Sequence, residues 1–497
     1  MASKRPPNIL WVCTDQQRFD TIGALGNRHV STPVVDQLVE RGTCFTHAYC
    51  QSPICTPSRA SFLTGMYPSA VHVMGNGNEC FPDSAPPLVS RLLADAGYDC
   101  GLVGKLHLAS AFGRVEPRTD DGYGFWKYSH APRDDWPEGH DYADWVRQQG
   151  ADLGELTRHS DGVPAPLHQS TWCAEMARQF MGAPRPDDQP WMLSVNIYDP
   201  HPPFNPPAEY RAMFDAAAMP GPHFRDSDLA HQRWLEAAGI DFQSKVASPH
   251  ELDIRNPVVP ASPRQGGGEE DSVAVGADVA QRRDAATLQA AYYAMIKLID
   301  DSLGQMLAAL QQSGQRRDTI VLFTSDHGET LGDHGLIAKG CRFYEGLVRV
   351  PLVFHAPELV RQGVVDDSLV ELTDLAPTLL DLAGVDIPQH MQGRSLATRL
   401  AHEGECTHRD FVRCEYYDAL DEPDGTLATM FRDRRHKLVV YHGKSVGELY
   451  DLEQDPHEHE NLWDAPAHQP LKLDLMRRSF DASMEAMDRG PRRIGPM

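Results

Sequence analysis

Two compact apolar runs constrain the fold of this chain more than any other feature. Asn8-Ile9-Leu10-Trp11-Val12-Cys13-Thr14 ends on Asp15, and Thr319-Ile320-Val321-Leu322-Phe323-Thr324 ends on Ser325-Asp326-His327. Neither run alternates polar and apolar residues, so each reads as a strand buried on both faces. A helix pattern precedes the second run. Leu288, Tyr292, Met295, Ile299, Leu303, Met306 and Leu310 recur at three- and four-residue spacing, and Gly314 follows the last turn. Helix followed by buried strand is the unit of a parallel α/β sheet. Trp191 to Ile197 and Val350 to Phe354 read as further strands, and Thr373 to Gly384 as another core helix. The expected class is α/β, with a large, mostly parallel sheet between helices.

Length and composition set the outer bounds. The 497 residues are enough for more than one domain. The pattern changes near residue 400. Phe411 to Tyr416, Leu427 to Arg432, Lys437 to Tyr441 and Glu448 to Leu452 are short strand-like runs, and Pro470 to Arg489 is helix-like. The reading is a catalytic unit over 1–400 and a small antiparallel sheet with a closing helix over 401–497. Residues 244–284, with Gly266-Gly267-Gly268 and small and acidic residues after them, read as a loop-like insertion. No run of about 18 apolar residues points to a membrane span. The N-terminus enters its first strand directly, with no signal-peptide pattern, so a cytoplasmic location is expected. The 10 cysteines match no zinc spacing and are expected to be mostly reduced. A formal net charge of -24 disfavours nucleic acid and anionic membranes as partners. It also demands that any anionic substrate meet local cations in its pocket. A homo-oligomer stays open.

The polar groups lie just past the strand ends, where open α/β sheets gather ligands. Taken alone, an Asp after a strand is also ordinary helix-cap chemistry. Hard oxygen donors with one imidazole, as at Asp15-Gln16 and Asp326-His327, suit a divalent cation such as Ca²⁺, Mg²⁺ or Mn²⁺.

Cys55-Thr56-Pro57-Ser58-Arg59, running on to Leu63-Thr64-Gly65, fits C-x-P-S-R-x-x-x-L-T-G. It resembles the signature of type I sulfatases of the alkaline phosphatase superfamily. Gly97-Tyr98 to Gly104-Lys105-Leu106-His107 is similar to a second signature of that family, and Glu448 to Leu452 with Asp455-Pro456 and Asn461-Leu462 to its end segment. In the family the cysteine is converted by a maturation enzyme to formylglycine, whose hydrated aldehyde attacks the sulfur of a sulfate ester. The second hydroxyl of the diol then expels sulfate. The resemblance implies metal ligands Asp15, Gln16, Asp326, His327 and the modified Cys55. It implies Ca²⁺ foremost, with Mn²⁺ the alternative because Gln16 stands where many sulfatases have a second Asp.

The same resemblance assigns the other site residues. Lys105 and Lys339 would bind sulfate oxygens, and His107 the formylglycine hydroxyls. His201, held among Pro200, Pro202 and Pro203, would sit beside the leaving oxygen. Arg59, four residues after the nucleophile and one helical turn on if a helix starts there, would stabilise the developing oxyanion and the diol. Asp326 would serve as base. Asn76, in the Gly-rich stretch 75–78, is expected at the transferred group, with Tyr198 and Asn205 toward the leaving group.

The implied activity is hydrolysis of a small-molecule sulfate ester. The alternative is a phosphonate monoester or phosphodiester hydrolase with the same nucleophile. Lys105, His107 and the Pro-Ser-Arg core favour sulfate. A non-catalytic anion-binding protein on the same fold is the third reading, and the full set of site residues speaks against it.

Overall fold

The structure is a computed structural model. It describes residues 5–134, 136, 138–158, 161–186, 189–240, 242–244, 246–250, 284–402, 408–420, 425–487 and 495. Most of the 244–284 insertion lies outside the described residues, as does Cys406.

The larger sheet has nine strands. They are β1 (Asn8–Thr14), β2 (Thr43–Tyr49), β3 (Asp99–Gly104), β4 (Phe125–Tyr128), β5 (Trp191–Ile197), β6 (Thr319–Ser325), β7 (Arg349–Val350), β8 (Leu352–His355) and β9 (Val364–Glu371). Their order is β4-β3-β5-β1-β6-β8-β2-β7, with β9 pairing β2. β4, β3, β5, β1 and β6 run parallel, and β8 is antiparallel to β6. As the apolar runs predict, every residue of β1 and β6 is buried. Leu10, Val12, Val321 and Phe323 pack into one core with Leu303, Met306 and Leu310. Ile9, Trp11, Ile320 and Leu322 fill another with Phe62 and Leu63.

The helix expected over 288–310 spans Ala285–Gln312, with the Asp284 side chain accepting the Thr287 N–H at its start. Leu375–Ala383 is the second expected helix, ended by Gly384 at φ 71°. The single strand expected over 350–354 is instead two, β7 and β8, flanking Pro351. Proline has no N–H to give the ladder, so the pairing with β2 is interrupted there.

The second sheet is antiparallel, β10 (Val412–Tyr417), β11 (Leu427–Arg432), β12 (His436–Tyr441) and β13 (Val446–Asp451), in sequence order. The helix Gln469–Glu485 packs on it through Leu475 and Ala482. Buried Glu448 of β13 anchors this sheet. It accepts from Tyr441 and Tyr450 hydroxyls, each at 2.7 Å, and lies 2.8 Å from His231 Nε2. Burial opposes its ionisation, but His231, Arg342 and Tyr441 outweigh that and bring its pKa from the ordinary 4.5 down to about 2. A depressed carboxylate stabilises the fold fully above its unfolded pKa and loses that contribution as pH falls toward the folded value. Glu448→Gln is therefore expected to flatten the stability loss between about pH 4.5 and pH 2, a contribution on the order of 3 kcal/mol. Urea melts of both proteins across that range check it. Parallel acid profiles would refute the assignment.

Candidate active site

Four adjacent parallel strands deliver the site. In register, Gly104 lies beside Asn196, Ile197 beside Thr14, and Thr14 beside Ser325. The residues that follow these ends converge: Lys105 after β3, His201 after β5, Asp15 and Gln16 after β1, Asp326 and His327 after β6. Gly104 permits the close packing of β3 on β5. It has φ 93°, and a Cβ there would meet the Asn196 carbonyl oxygen at 1.9 Å.

The helix Cys55–Thr64 aims at the same point. All ten of its residues are buried, and it ends on Gly65 at φ 69°. Ser58 Oγ donates to the Asp326 carbonyl at 2.6 Å, fixing the helix to the loop after β6. Asn76 Oδ1 accepts the Thr56 N–H at 3.2 Å, so the Gly-rich stretch closes the helix N-terminus beside Cys55. Cys55, the first residue of the helix, lies at the centre. Its Sγ is 2.8 Å from Lys339 Nζ, 3.1 Å from His327 Nε2 and 3.6 Å from Asp15 Oδ1.

The cations and carboxylates interlock. Lys105 Nζ lies 2.8 Å from Asp15 Oδ2. Arg59 Nε donates to Asp326 Oδ2 at 2.9 Å, and its Nη2 lies 3.4 Å from Asp15 Oδ2. Arg59 Nη1 also reaches the Lys105 carbonyl and Asn196 Oδ1. Burial alone would raise the Asp15 pKa, but Lys105, His201, Arg59 and Lys339 hold it well below the usual carboxylate range. Burial likewise opposes the charge on Lys105, and Asp15 more than restores it, so its pKa is raised. Burial pushes His327 below its ordinary value.

Lys339 Nζ is 3.1 Å from His201 Nε2, and His201 Nδ1 is 2.8 Å from the Pro202 carbonyl. The Tyr198 ring lies 4.6 Å from the His201 ring, and its hydroxyl donates to the Pro202 carbonyl at 2.8 Å. Asn205 accepts from Arg211 at 2.7 Å. His107 has φ 57°, gives its backbone N–H to Glu116, and packs its ring against His130.

A divalent cation fits this donor set. Asp15, Cys55, Asp326 and His327 each offer a donor atom, all within 4.8 Å of one another. Gln16 turns its amide nitrogen to Glu329, and its Oε1 is a buried acceptor with no hydrogen-bond partner. Such an orphaned oxygen is what a hard cation would use. The buried carboxyl groups of Asp15 and Asp326 pair with buried Arg59 and Lys105, buried Lys339 lies against Cys55, and buried Glu329 stands behind Gln16. An incoming sulfate adds negative charge, which a divalent ion would offset.

Sequence reasoning missed Glu329, Asn196 and Glu116. Glu329 accepts from Gln16, from the Leu331 N–H at 3.0 Å and from the Ala338 N–H, so it braces both the Gln16 amide and the approach to Lys339. Its position two residues past His327 was the available signal.

Comparison with known proteins agrees with this geometry. The sulfatase family model matches residues 7–385, and the model described as N-sulphoglucosamine sulphohydrolase, C-terminal, matches residues 332–485. An arylsulfatase of Clostridium perfringens is 28% identical, over 97% of this chain and 95% of its own. The multifunctional alkaline phosphatase superfamily protein PehA of Trinickia caryophylli is 29% identical, over 97% and 96%. Among solved structures, the phosphonate monoester hydrolase of Agrobacterium radiobacter superposes with a TM-score of 0.78 at 25% identity, covering 97% of this chain and 96% of that one. With its model matched across well over half the length, this chain belongs to the sulfatase family.

Proposed function

We propose that this enzyme hydrolyses small-molecule sulfate esters to an alcohol and inorganic sulfate, with Cys55 as the nucleophile precursor. The observation that carries the reading is the position of Cys55. It opens a buried helix, within 3.1 Å of both Lys339 and His327, at the carboxyl ends of β3, β5, β1 and β6. As formylglycine, this residue would supply a hydrated aldehyde in place of the thiol. A divalent cation, which we take to be Ca²⁺ with Mn²⁺ the alternative, would be held by Asp15, Gln16, Asp326, His327 and residue 55, and would polarise the sulfate.

The chain's own groups supply the rest. Lys339 lies within hydrogen-bond distance of both Cys55 and His201, which supports Lys339 as a sulfate-oxygen ligand and His201 or Lys339 as the acid that protonates the leaving alcohol. Lys105 lies against Asp15, where it would meet developing negative charge. Asp326 and His107 are our bases for the attack and the release. Arg59 contacts both ligand carboxylates, which supports a positioning role in addition to charge stabilisation.

We also divide the chain near residue 400, since the small sheet β10–β13 is hydrogen-bonded separately from the large one. A cytoplasmic location and a formylglycine-generating partner complete the reading. Nine free cysteines among the described residues suit a reducing compartment. No helix among these residues is long and apolar enough to cross a membrane.

A phosphonate monoester or phosphodiester hydrolase is the second reading, favoured by the structural likeness already given and by Gln16. Turnover of an aryl sulfate against a phenyl phosphonate ester separates them. We expect kcat/KM at least about tenfold higher for the sulfate, a difference of about 1.4 kcal/mol in transition-state binding. Chelation is expected to remove the activity, and Ca²⁺ or Mn²⁺ to restore it. A preference for the phosphonate would overturn the substrate assignment, and full turnover by metal-free protein would overturn the metal.

A further inference from the structure

Apart from the Cys55 centre, one other group of metal-ligating side chains comes together among the described residues: Asp228, His334 and His459. We propose that these three residues form a second metal site, selective for Zn²⁺ and distinct in its ligands from the Cys55 centre.

Three separate segments supply the ligands. Asp228 lies in the first turn of the helix Asp226–Ala237 and accepts the Arg225 N–H at 2.8 Å. His334 lies in the loop after β6, with φ 55°, and its ring stacks on Tyr344 at 3.8 Å. His459 lies beyond β13. Its Nδ1 is 3.1 and 3.0 Å from the two Asp228 carboxylate oxygens, and His334 Nδ1 is 3.7 Å from Oδ2. The His334 and Asp228 side chains are 4% and 2% exposed, and that of His459 is 5% exposed.

Both imidazoles thus turn the same nitrogen toward one carboxylate, with all three side chains largely covered. Bonds of about 2.0–2.1 Å around a tetrahedral Zn²⁺ place its ligand atoms roughly 3.3 Å apart. The observed separations of 3.0 and 3.7 Å bracket that edge. The donor atoms, all within 4.8 Å of one another, need only a small contraction to close on an ion. Two imidazoles and one carboxylate suit zinc better than the oxygen-seeking Ca²⁺. A cavity of about 410 Å³ adjoins the cluster on its His334 side, lined by His334 with His223, Asp333, Tyr344 and His457, and would be the source of a water as fourth ligand. Bound there, Zn²⁺ would tie the segment after β13 to the helix Asp226–Ala237 and to the loop after β6, so that its binding energy becomes folding energy.

The test uses full-length protein stripped of metal and then given excess Ca²⁺ to fill the Cys55 centre. Zn²⁺ is added and bound metal is measured after dialysis. The wild type is expected to retain one equivalent of Zn²⁺, and the His334→Gln/His459→Gln variant none. Co²⁺ added to the wild type instead is expected to give the intense visible bands of a four-coordinate ion, a readout that needs no variant to fold. Equal zinc retention by both proteins, or only the weak six-coordinate spectrum of Co²⁺ in the wild type, would overturn the proposal.

Discussion

Cys55→Ala is expected to lower aryl sulfate turnover by roughly 10⁴-fold or more while leaving the fold intact. The side chain is buried, but it is small, and the helix Cys55–Thr64 is held by Ser58, Asn76 and Arg59 rather than by the thiol. Thermal melting should therefore barely move. Cys55→Ser separates the chemistry further. One hydroxyl remains to attack once, and no second hydroxyl remains to expel sulfate. A stoichiometric burst of alcohol without further turnover is the expected trace, with the protein heavier by one sulfate group in its intact mass. Steady multiple turnover by the serine variant would refute the two-hydroxyl mechanism, and retained activity in the alanine variant would remove Cys55 from the reaction altogether. Intact mass of the unmutated peptide around Cys55 reports directly whether the thiol has been converted.

The second large effect belongs to Arg59. Its guanidinium is buried and divided between Asp326 and Asp15, with further bonds to the Lys105 carbonyl and Asn196. Burial opposes its charge, and the two carboxylates raise its pKa regardless. Removing it leaves Asp326 without its closest cation. Breaking a buried pair in this way costs about 3–5 kcal/mol. Arg59→Ala is expected to lose that much stability in metal-free protein and clearly less with Ca²⁺ present, because the ion neutralises the same carboxylates. Its kcat/KM should fall by on the order of 10²–10³-fold even with saturating metal, since Asp326 is no longer held. Arg59→Lys should recover little, because a single ammonium cannot span both carboxylates. Urea titrations with and without Ca²⁺ measure the first effect and kinetics the second. A stability loss that ignores Ca²⁺ would show that Arg59 does not serve the metal carboxylates.

Much of this was legible in the chain itself. The runs Asn8–Thr14 and Thr319–Thr324 are apolar at every inward position, and burial on both faces of a parallel sheet is the one environment that suits them. The spacing of Leu288 through Leu310 gives the long helix. These are local patterns, set by the periods of strand and helix, and they need no knowledge of neighbours. The split at Pro351 was written locally too, in a residue that cannot donate to a ladder.

What the tertiary structure decided is everything that depends on which strands lie side by side. Nothing in the chain states that β3, β5, β1 and β6 lie side by side in that order, yet that order brings Lys105, His201, Asp15 and Asp326 together. Gln16 meets Glu329 from 313 residues away, and Lys339 reaches Cys55 across 284. The pairing of Lys105 with Asp15, the division of Arg59 between two carboxylates, and the approach of His459 to Asp228 follow from that packing. A side chain's identity fixes the bonds it can make. Which partner it finds, and how far burial strengthens that bond, is settled only when distant segments are pressed together in a dry interior.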